Sequence, residues 1–197
     1  QAKLELFSAE HPNADDETKD FLCLLAEQTE RMAEMSKTLL ELSELRSVPC
    51  EDRIELEPLM EELCTDLTPL AEKQNIELRY EGNAILIGSD TLIYRLLFNL
   101  TENAIRYNRP NGSVRLSVRE EASCIEIRVA DSGTGIPVQY RESIFQPFFR
   151  VDKSRSRQYG GAGLGLALVR EIVSLHGAEI WIEESSDKGT TMAIRFP

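Results

Sequence analysis

No Gly-Lys-Ser or Gly-Lys-Thr occurs anywhere in the 197 residues, which excludes the usual phosphate loop. Cysteine is sparse. The four residues, at 23, 50, 64 and 124, include no Cys-x-x-Cys pair and have no histidine at ligand spacing. That argues against a zinc site or a disulfide framework, and scattered reduced thiols fit the cytosol. Cys64 and Cys124 lie in apolar patterns and are read as core. No apolar run reaches the roughly 18 residues that a membrane span needs, and no signal-peptide pattern is present. Positive charge is the scarcer sign, with 22 Lys and Arg against 34 Asp and Glu and a net charge of −12. Such a surface repels phosphate backbones, which argues against nucleic-acid partners. Cations that handle an anion must then be local, and one cluster exists at Arg150, Lys153, Arg155 and Arg157.

Hydrophobic residues make up 42% of the chain, enough for one sizeable core. The first residue is Gln1 rather than Met, which is read as a piece of something longer. Residues 1–7 read as the end of a helix and 8–16 as a loop around Pro12 and Asn13. From about Asp16 to Arg46 runs a long helix with Leu25, Met32 and Leu39 at heptad spacing, and Phe21, Gln28, Met35 and Leu42 likewise. A seam of that regularity predicts half of a dimeric bundle, against the blander reading of a helix packed on its own domain. Residues 48–56 read as a linker. Beyond it, Leu59, Met60, Leu63, Leu67 and Leu70 share a helical face that Pro69 should kink or shorten. Alternation predicts strands over 76–80, 84–87, 114–118, 124–129, 180–183 and 190–196. Helices are expected from Ser89, as N-cap, to about Tyr107, over 138–144, and over 162–176, the last closed by Gly177. The expected architecture is α/β (α+β), a two-layer sandwich of helices on a mixed, mostly antiparallel sheet.

Four segments carry chemistry. Asn99-Leu100-Thr101-Glu102-Asn103-Ala104-Ile105-Arg106-Tyr107 places two carboxamides on one helix face, with Arg106 and Tyr107 a turn further on. A carboxamide oxygen is a hard neutral ligand that can complete a Mg²⁺ shell otherwise filled by phosphate and water. Alone, the pair would read as surface asparagines. Asp131-Ser132-Gly133-Thr134-Gly135-Ile136-Pro137 follows a strand directly. A carboxylate there can accept a hydrogen bond from an exocyclic amine, though the segment also suits an ordinary turn. Gly160-Gly161-Ala162-Gly163-Leu164-Gly165-Leu166 precedes a helix, where backbone N–H groups and the helix dipole favour phosphate. A plain hinge is the alternative. Phe145, Phe148, Phe149 and Arg150 lead into the cationic segment.

As a set, in this order and separation, these segments resemble the ATP-binding domain of sensor histidine kinases, which shares the Bergerat ATP-binding fold with DNA gyrase, Hsp90 and MutL. Asn99–Tyr107 resembles the asparagine box and Asp131–Pro137 the first glycine box. Ile144–Arg150 resembles the phenylalanine box and Gly161–Leu166 the second glycine box. The match covers about residues 57–197, and residues 1–47 resemble part of the family's dimerisation domain. The resemblance implies that Asn103 holds Mg²⁺ and that Asn99 and Arg106 lie near the phosphates. Tyr107 would line the pocket, Asp131 would bind adenine, and residues 151–160 would form a lid. Arg150 and Lys153 would approach the terminal phosphate. Gly133, Gly135, Ile136, Phe145, Gly161, Gly163, Leu164, Gly165 and Leu166 would complete the nucleotide site. Hydrolysing relatives carry a glutamate where Asn99 stands, and a carboxamide cannot act as a general base, so phosphotransfer is favoured. Glu102 points about 100° away from Asn103 and is given no such role.

Two departures stand out. Ala162 replaces the family's usual Thr or Ser. The acceptor motif, His followed by an acidic residue, a basic residue and Pro, is missing. His11 precedes Pro12 directly, and His176 sits at a helix C-terminus, where a capping cation is favoured. The resemblance therefore implies a truncated kinase that binds Mg-ATP without phosphorylating itself. The intact protein would be a homodimer, cytoplasmic in this portion and membrane-anchored through other segments. It would pass the phosphoryl group to a response regulator receiver domain. The alternatives are a nucleotide-regulated scaffold, a same-fold ATPase and an anti-sigma serine kinase.

Overall fold

The computed structural model describes residues 48–151 and 163–197 continuously, together with scattered positions between Thr18 and Leu45, all of them helical. The tail at residues 1–7 and the segment 152–162 lie outside the described residues.

Two strands form a small antiparallel sheet, β1 (Asp52–Glu55) against β3 (Ile85–Gly88). The main sheet has the order β2-β4-β5-β7-β6, with β2 (Glu77–Glu81), β4 (Ser113–Glu121), β5 (Cys124–Asp131), β6 (Glu179–Ser186) and β7 (Gly189–Phe196). Among the described residues, only the β2–β4 pairing is parallel. Helices α1 (Leu56–Glu72), α2 (Asp90–Arg106) and α3 (Gly165–Leu175) pack together on one face. The mixed, mostly antiparallel sandwich expected from the alternation is present. The core follows from period: Leu59, Met60, Leu63 and Leu67 on α1 and Leu92, Ile93, Leu96, Leu97 and Leu100 on α2 are buried. They meet Leu116, Ile127, Val129 and Ile194 of the sheet.

Several boundaries differ from the sequence reading. Residues 52–55, read as linker, are a strand, because Ile54 alone points inward and too short an alternation was visible. Pro69 does not end α1, which runs to Glu72; Thr65 and Thr68 fold their hydroxyls back onto the carbonyls of Glu61 and Cys64 in that stretch. The helix over 138–144 is two 3₁₀ turns, Val138–Tyr140 and Ser143–Phe145. The helix expected from 162 begins at Gly165, since Gly163 has φ +72°, outside helical geometry. Cys64 is half-buried, and burial pushes its thiol up to about 11. Cys124 is not core: it stands half-exposed at the start of β5, its thiol donating to the Glu121 carboxylate (3.7 Å).

Ser89 occupies the N-cap position of α2 without a side-chain cap. Its N–H donates instead to Nε2 of His176 (3.0 Å), and His176 Nδ1 bonds the Ile172 carbonyl (2.8 Å). That pattern needs a neutral imidazole protonated at Nδ1, so the capping-cation reading of His176 is replaced by a neutral bridge between α3 and α2. Asp52 Oδ2 accepts the Asp90 N–H (3.1 Å) and completes the cap. We expect His176→Ala to orphan the buried Ser89 N–H and lower unfolding free energy by about 1–3 kcal/mol, read from urea titration. No loss would refute the bridge. Gly177 closes α3 as expected, with Gly177 N–H to Ser174 (3.1 Å) and Ala178 N–H to Val173 (3.0 Å).

The sheet face away from the helices is polar. There Glu126, 4% exposed, lies between Arg128 and Arg195, and Arg128 also holds Glu183 (2.9 Å), whose carboxyl is lowered by that bond. The grooves lined by these residues are remote from the motif residues.

Candidate nucleotide site

Helix α2 delivers the asparagine-rich segment because its apolar residues are buried at helical spacing, leaving Asn99, Asn103 and Arg106 half-exposed on the remaining face. The Asn99 Nδ2 donates to the Arg95 carbonyl (2.7 Å), and its Oδ1 faces the first residue of α3: a Cβ on Gly165 would lie 2.6 Å from it. The first and last motifs are thus in contact. Arg106 pairs with Glu102 (2.8 Å) across one helical turn. Tyr107 is exposed at the helix end, and its carbonyl accepts the Thr134 N–H (3.4 Å).

Asp131 ends β5. Its Oδ1 accepts the N–H of Gly133 (2.7 Å) and of Thr190 (3.2 Å). Oδ2 makes no hydrogen bond with the described residues, and so can accept from a ligand. Burial raises the carboxyl above the ordinary aspartate range, and the two N–H bonds oppose that rise. Gly135, at φ +72°, packs against the Ser186 carbonyl, and Ile136 N–H donates to Ser185 Oγ (2.7 Å). Arg141 straps the same loop, bonding the carbonyls of Ile136 (3.3 Å) and Ser185 (2.5 Å).

Phe145 is half-buried and packs on the core, Phe149 packs with a tilted ring against Tyr140 (centroids 5.7 Å), and Arg150 is half-buried. Phe148 is 50% exposed at φ +64°, a conformation uncommon for a bulky residue. Its N–H donates to the Gly163 carbonyl (2.8 Å), which ties the phenylalanine segment to the second glycine segment. Leu164 is buried as the N-cap of α3, with Gly165 and Leu166 in the first turn. Lys153 and Gly161, and most of the expected lid, lie outside the described residues.

This arrangement has a counterpart among known proteins. Residues 88–197, more than half of the chain, match the family described as histidine kinase-, DNA gyrase B-, and HSP90-like ATPase. The chain belongs to that family. Within this ATPase family its relatives include the sensor histidine kinase WalK of Bacillus subtilis, 36% identical over 90% of this chain and 30% of WalK. The sensor-like histidine kinase SenX3 of Mycolicibacterium smegmatis is 33% identical over 100% of this chain and 52% of SenX3. The chain therefore spans about half or less of the curated relatives it matches. Among solved structures, the catalytic domain of histidine kinase ThkA superposes with TM-score 0.64 at 28% identity, covering 74% of this chain and 95% of that one. ThkA in complex with response regulator protein TrrA has the same fold (TM-score 0.71, 24% identity, 98% of this chain and 56% of that one).

Sequence reasoning missed four residues that hold the motif residues in place. Thr190, 5% exposed, holds Asp131 from 59 positions away, and only the fold reveals it. Ser185 and Arg141 position the glycine loop by the same long-range route. Glu102 was set aside, yet its i,i+4 spacing to Arg106 was readable as an ion pair.

Proposed function

We propose that this chain is the ATP-binding catalytic part of a two-component sensor histidine kinase, residues 57–197 forming the nucleotide domain. The observation that carries it is Asp131: one carboxylate oxygen is fixed by two backbone N–H groups while the other is open to accept an exocyclic amine, as an adenine base would present. Asn103 would hold Mg²⁺, for which a neutral oxygen donor beside phosphate is chemically apt. When bound, the ion would neutralise phosphate charge and favour the transfer. Arg106, Arg150 and Lys153 would supply further positive charge, and Gly163 to Leu166 would present backbone N–H groups at the N-terminus of α3. Tyr107, Ile136 and Phe145 would flank the nucleotide. Asn99, with its amide nitrogen donated to Arg95, offers no general base, which supports phosphoryl transfer over hydrolysis.

Neither histidine of this chain serves as acceptor in this reading, because His176 has both ring nitrogens engaged and His11 lacks the motif context. A response regulator aspartate would receive the phosphoryl group, by analogy with the ThkA–TrrA pairing. Homodimerisation of the intact protein finds support in the helical residues Phe21 and Met32, which are 59% and 70% exposed on the apolar seam. Among the described residues no helix is long and apolar enough to cross a membrane, so anchoring would come from other segments.

Calorimetric titration with ATP tests the reading. Wild type should bind in the micromolar range with Mg²⁺. Asn103→Ala should weaken binding about tenfold with Mg²⁺ and leave it nearly unchanged in excess EDTA. Equal weakening in both conditions would remove Asn103 as the metal ligand, and no binding by wild type would overturn the nucleotide reading.

A further inference from the structure

The loop that follows Asp131 is fixed by bonds that lead back to the end of α2. Asn108 Oδ1 accepts from the Ser132 hydroxyl (3.1 Å), and Asn108 Nδ2 donates to the Ser113 carbonyl (3.0 Å). The Ser132 Oγ accepts the Ser113 N–H (2.8 Å), and the Ser132 N–H donates to that same Ser113 carbonyl (3.1 Å). Three residues from three places, just past α2, the first position of β4 and just past β5, thus close a ring of hydrogen bonds. Ser132 stands between Asp131 and Gly133, the residue whose N–H holds Oδ1. Asn108 follows Tyr107, whose N–H bonds the carbonyl of Asn103 (3.0 Å). The ring therefore spans the helix bearing the phosphate-side residues and the carboxylate on the base side.

We propose that Asn108 and Ser132 are positioning residues that set the register between the two ends of the nucleotide site. They act through Asp131 and touch no ligand themselves, and the proposal rests on the assignment of Asp131 to an exocyclic amine. Hydrogen bonds weaken steeply with misalignment. A carboxylate turned by a loosened loop would therefore lose the amine before it lost the remainder of the nucleotide. Sequence alone gave no sign of this ring, because Asn108 lies just past the helix end expected at about Tyr107 and the segment holding Ser132 was read for Asp131 and its glycines.

The test compares Mg-ATP with Mg-bound purine riboside triphosphate, which lacks only the 6-amine, by calorimetry on the whole chain. Wild type should prefer ATP by about tenfold or more. In Asn108→Ala and in Ser132→Ala the preference should fall to within about threefold of unity, with purine riboside triphosphate binding little changed. Ser132→Thr, which keeps the hydroxyl, should restore the preference. A merely structural role would weaken both nucleotides equally and leave their ratio at the wild-type value; that result, in folded variants of both positions, overturns the proposal. A wild type that does not discriminate overturns the amine assignment instead, and the positioning role with it.

Discussion

Asp131→Asn should all but remove the preference for adenine nucleotides while leaving the ligand-free protein as stable as wild type or more so. The asparagine oxygen can still accept the Gly133 and Thr190 N–H groups, so the loop keeps its anchor. The other half of the carboxamide becomes an N–H₂ donor, which meets the donor of an exocyclic amine. Losing a hydrogen bond to a charged acceptor costs about 1.5–3 kcal/mol, or roughly 10- to 150-fold in ATP affinity. Stability moves the other way because burial raises the carboxyl of Asp131. A carboxyl whose folded value lies above its unfolded one stabilises the fold only when protonated. That contribution is complete below the ordinary aspartate range and is lost as pH rises through the raised value. At neutral pH the ionised group therefore weighs against the ligand-free fold, and the asparagine does not. The melting-temperature difference between the two proteins should be largest at neutral pH and shrink as pH falls below the ordinary aspartate range. A variant that melts lower than wild type at pH 7, or binds ATP unchanged, would contradict the role assigned to this group.

Gly135→Ala should be among the most damaging of the small substitutions near the site. Gly135 and Gly177 have nearly the same φ, +72° and +61°, but different surroundings. A Cβ on Gly135 would lie 1.9 Å from the Ser186 carbonyl oxygen, whereas one on Gly177 meets nothing within 4 Å. Alanine at 177 bears only the left-handed conformation, about 1–2 kcal/mol. Alanine at 135 adds a backbone collision that no rotamer relieves, which brings the loss to about 2–5 kcal/mol. It also pushes the Asp131 loop away from β6. Urea midpoints of the two variants, measured together, isolate the steric part. Equal, small losses at both would show that the loop yields, and the close approach to Ser186 would lose its significance.

The parts of this protein that sequence made legible are those governed by short periods. The buried stripes of α1 and α2 and the alternations of β4, β5 and β7 were readable because each repeats several times in one element. The glycine and asparagine segments were readable as a set because their side-chain types and spacing carry the family resemblance. What escaped was long-range pairing. β3 joins β1 rather than its sequence neighbour β2, and the short β1 showed too little alternation to register. Thr190 and Asn108 gain their roles from residues far along the chain. Ser89 stands at the head of α2 as expected but makes no side-chain cap, and nothing local indicates that His176 would take its N–H. Gly163 was read inside the last helix, whose start lies instead at Gly165, because a positive φ is a property of the folded loop.

One feature bears on how the protein is made. Asp131 belongs to β5, but its second anchor, Thr190, belongs to β7, which pairs along nearly the whole of β5. During synthesis from the N-terminus, β5 emerges well before that partner exists. Asp131 cannot gain that anchor until β7 has left the ribosome and docked, since domains fold as units. A nucleotide bound at Asp131 as proposed, stabilising only states able to bind it, would then act as a late inspector of the nascent chain. It would reward copies whose sheet is finished and ignore those that stall or lose β7 to proteolysis.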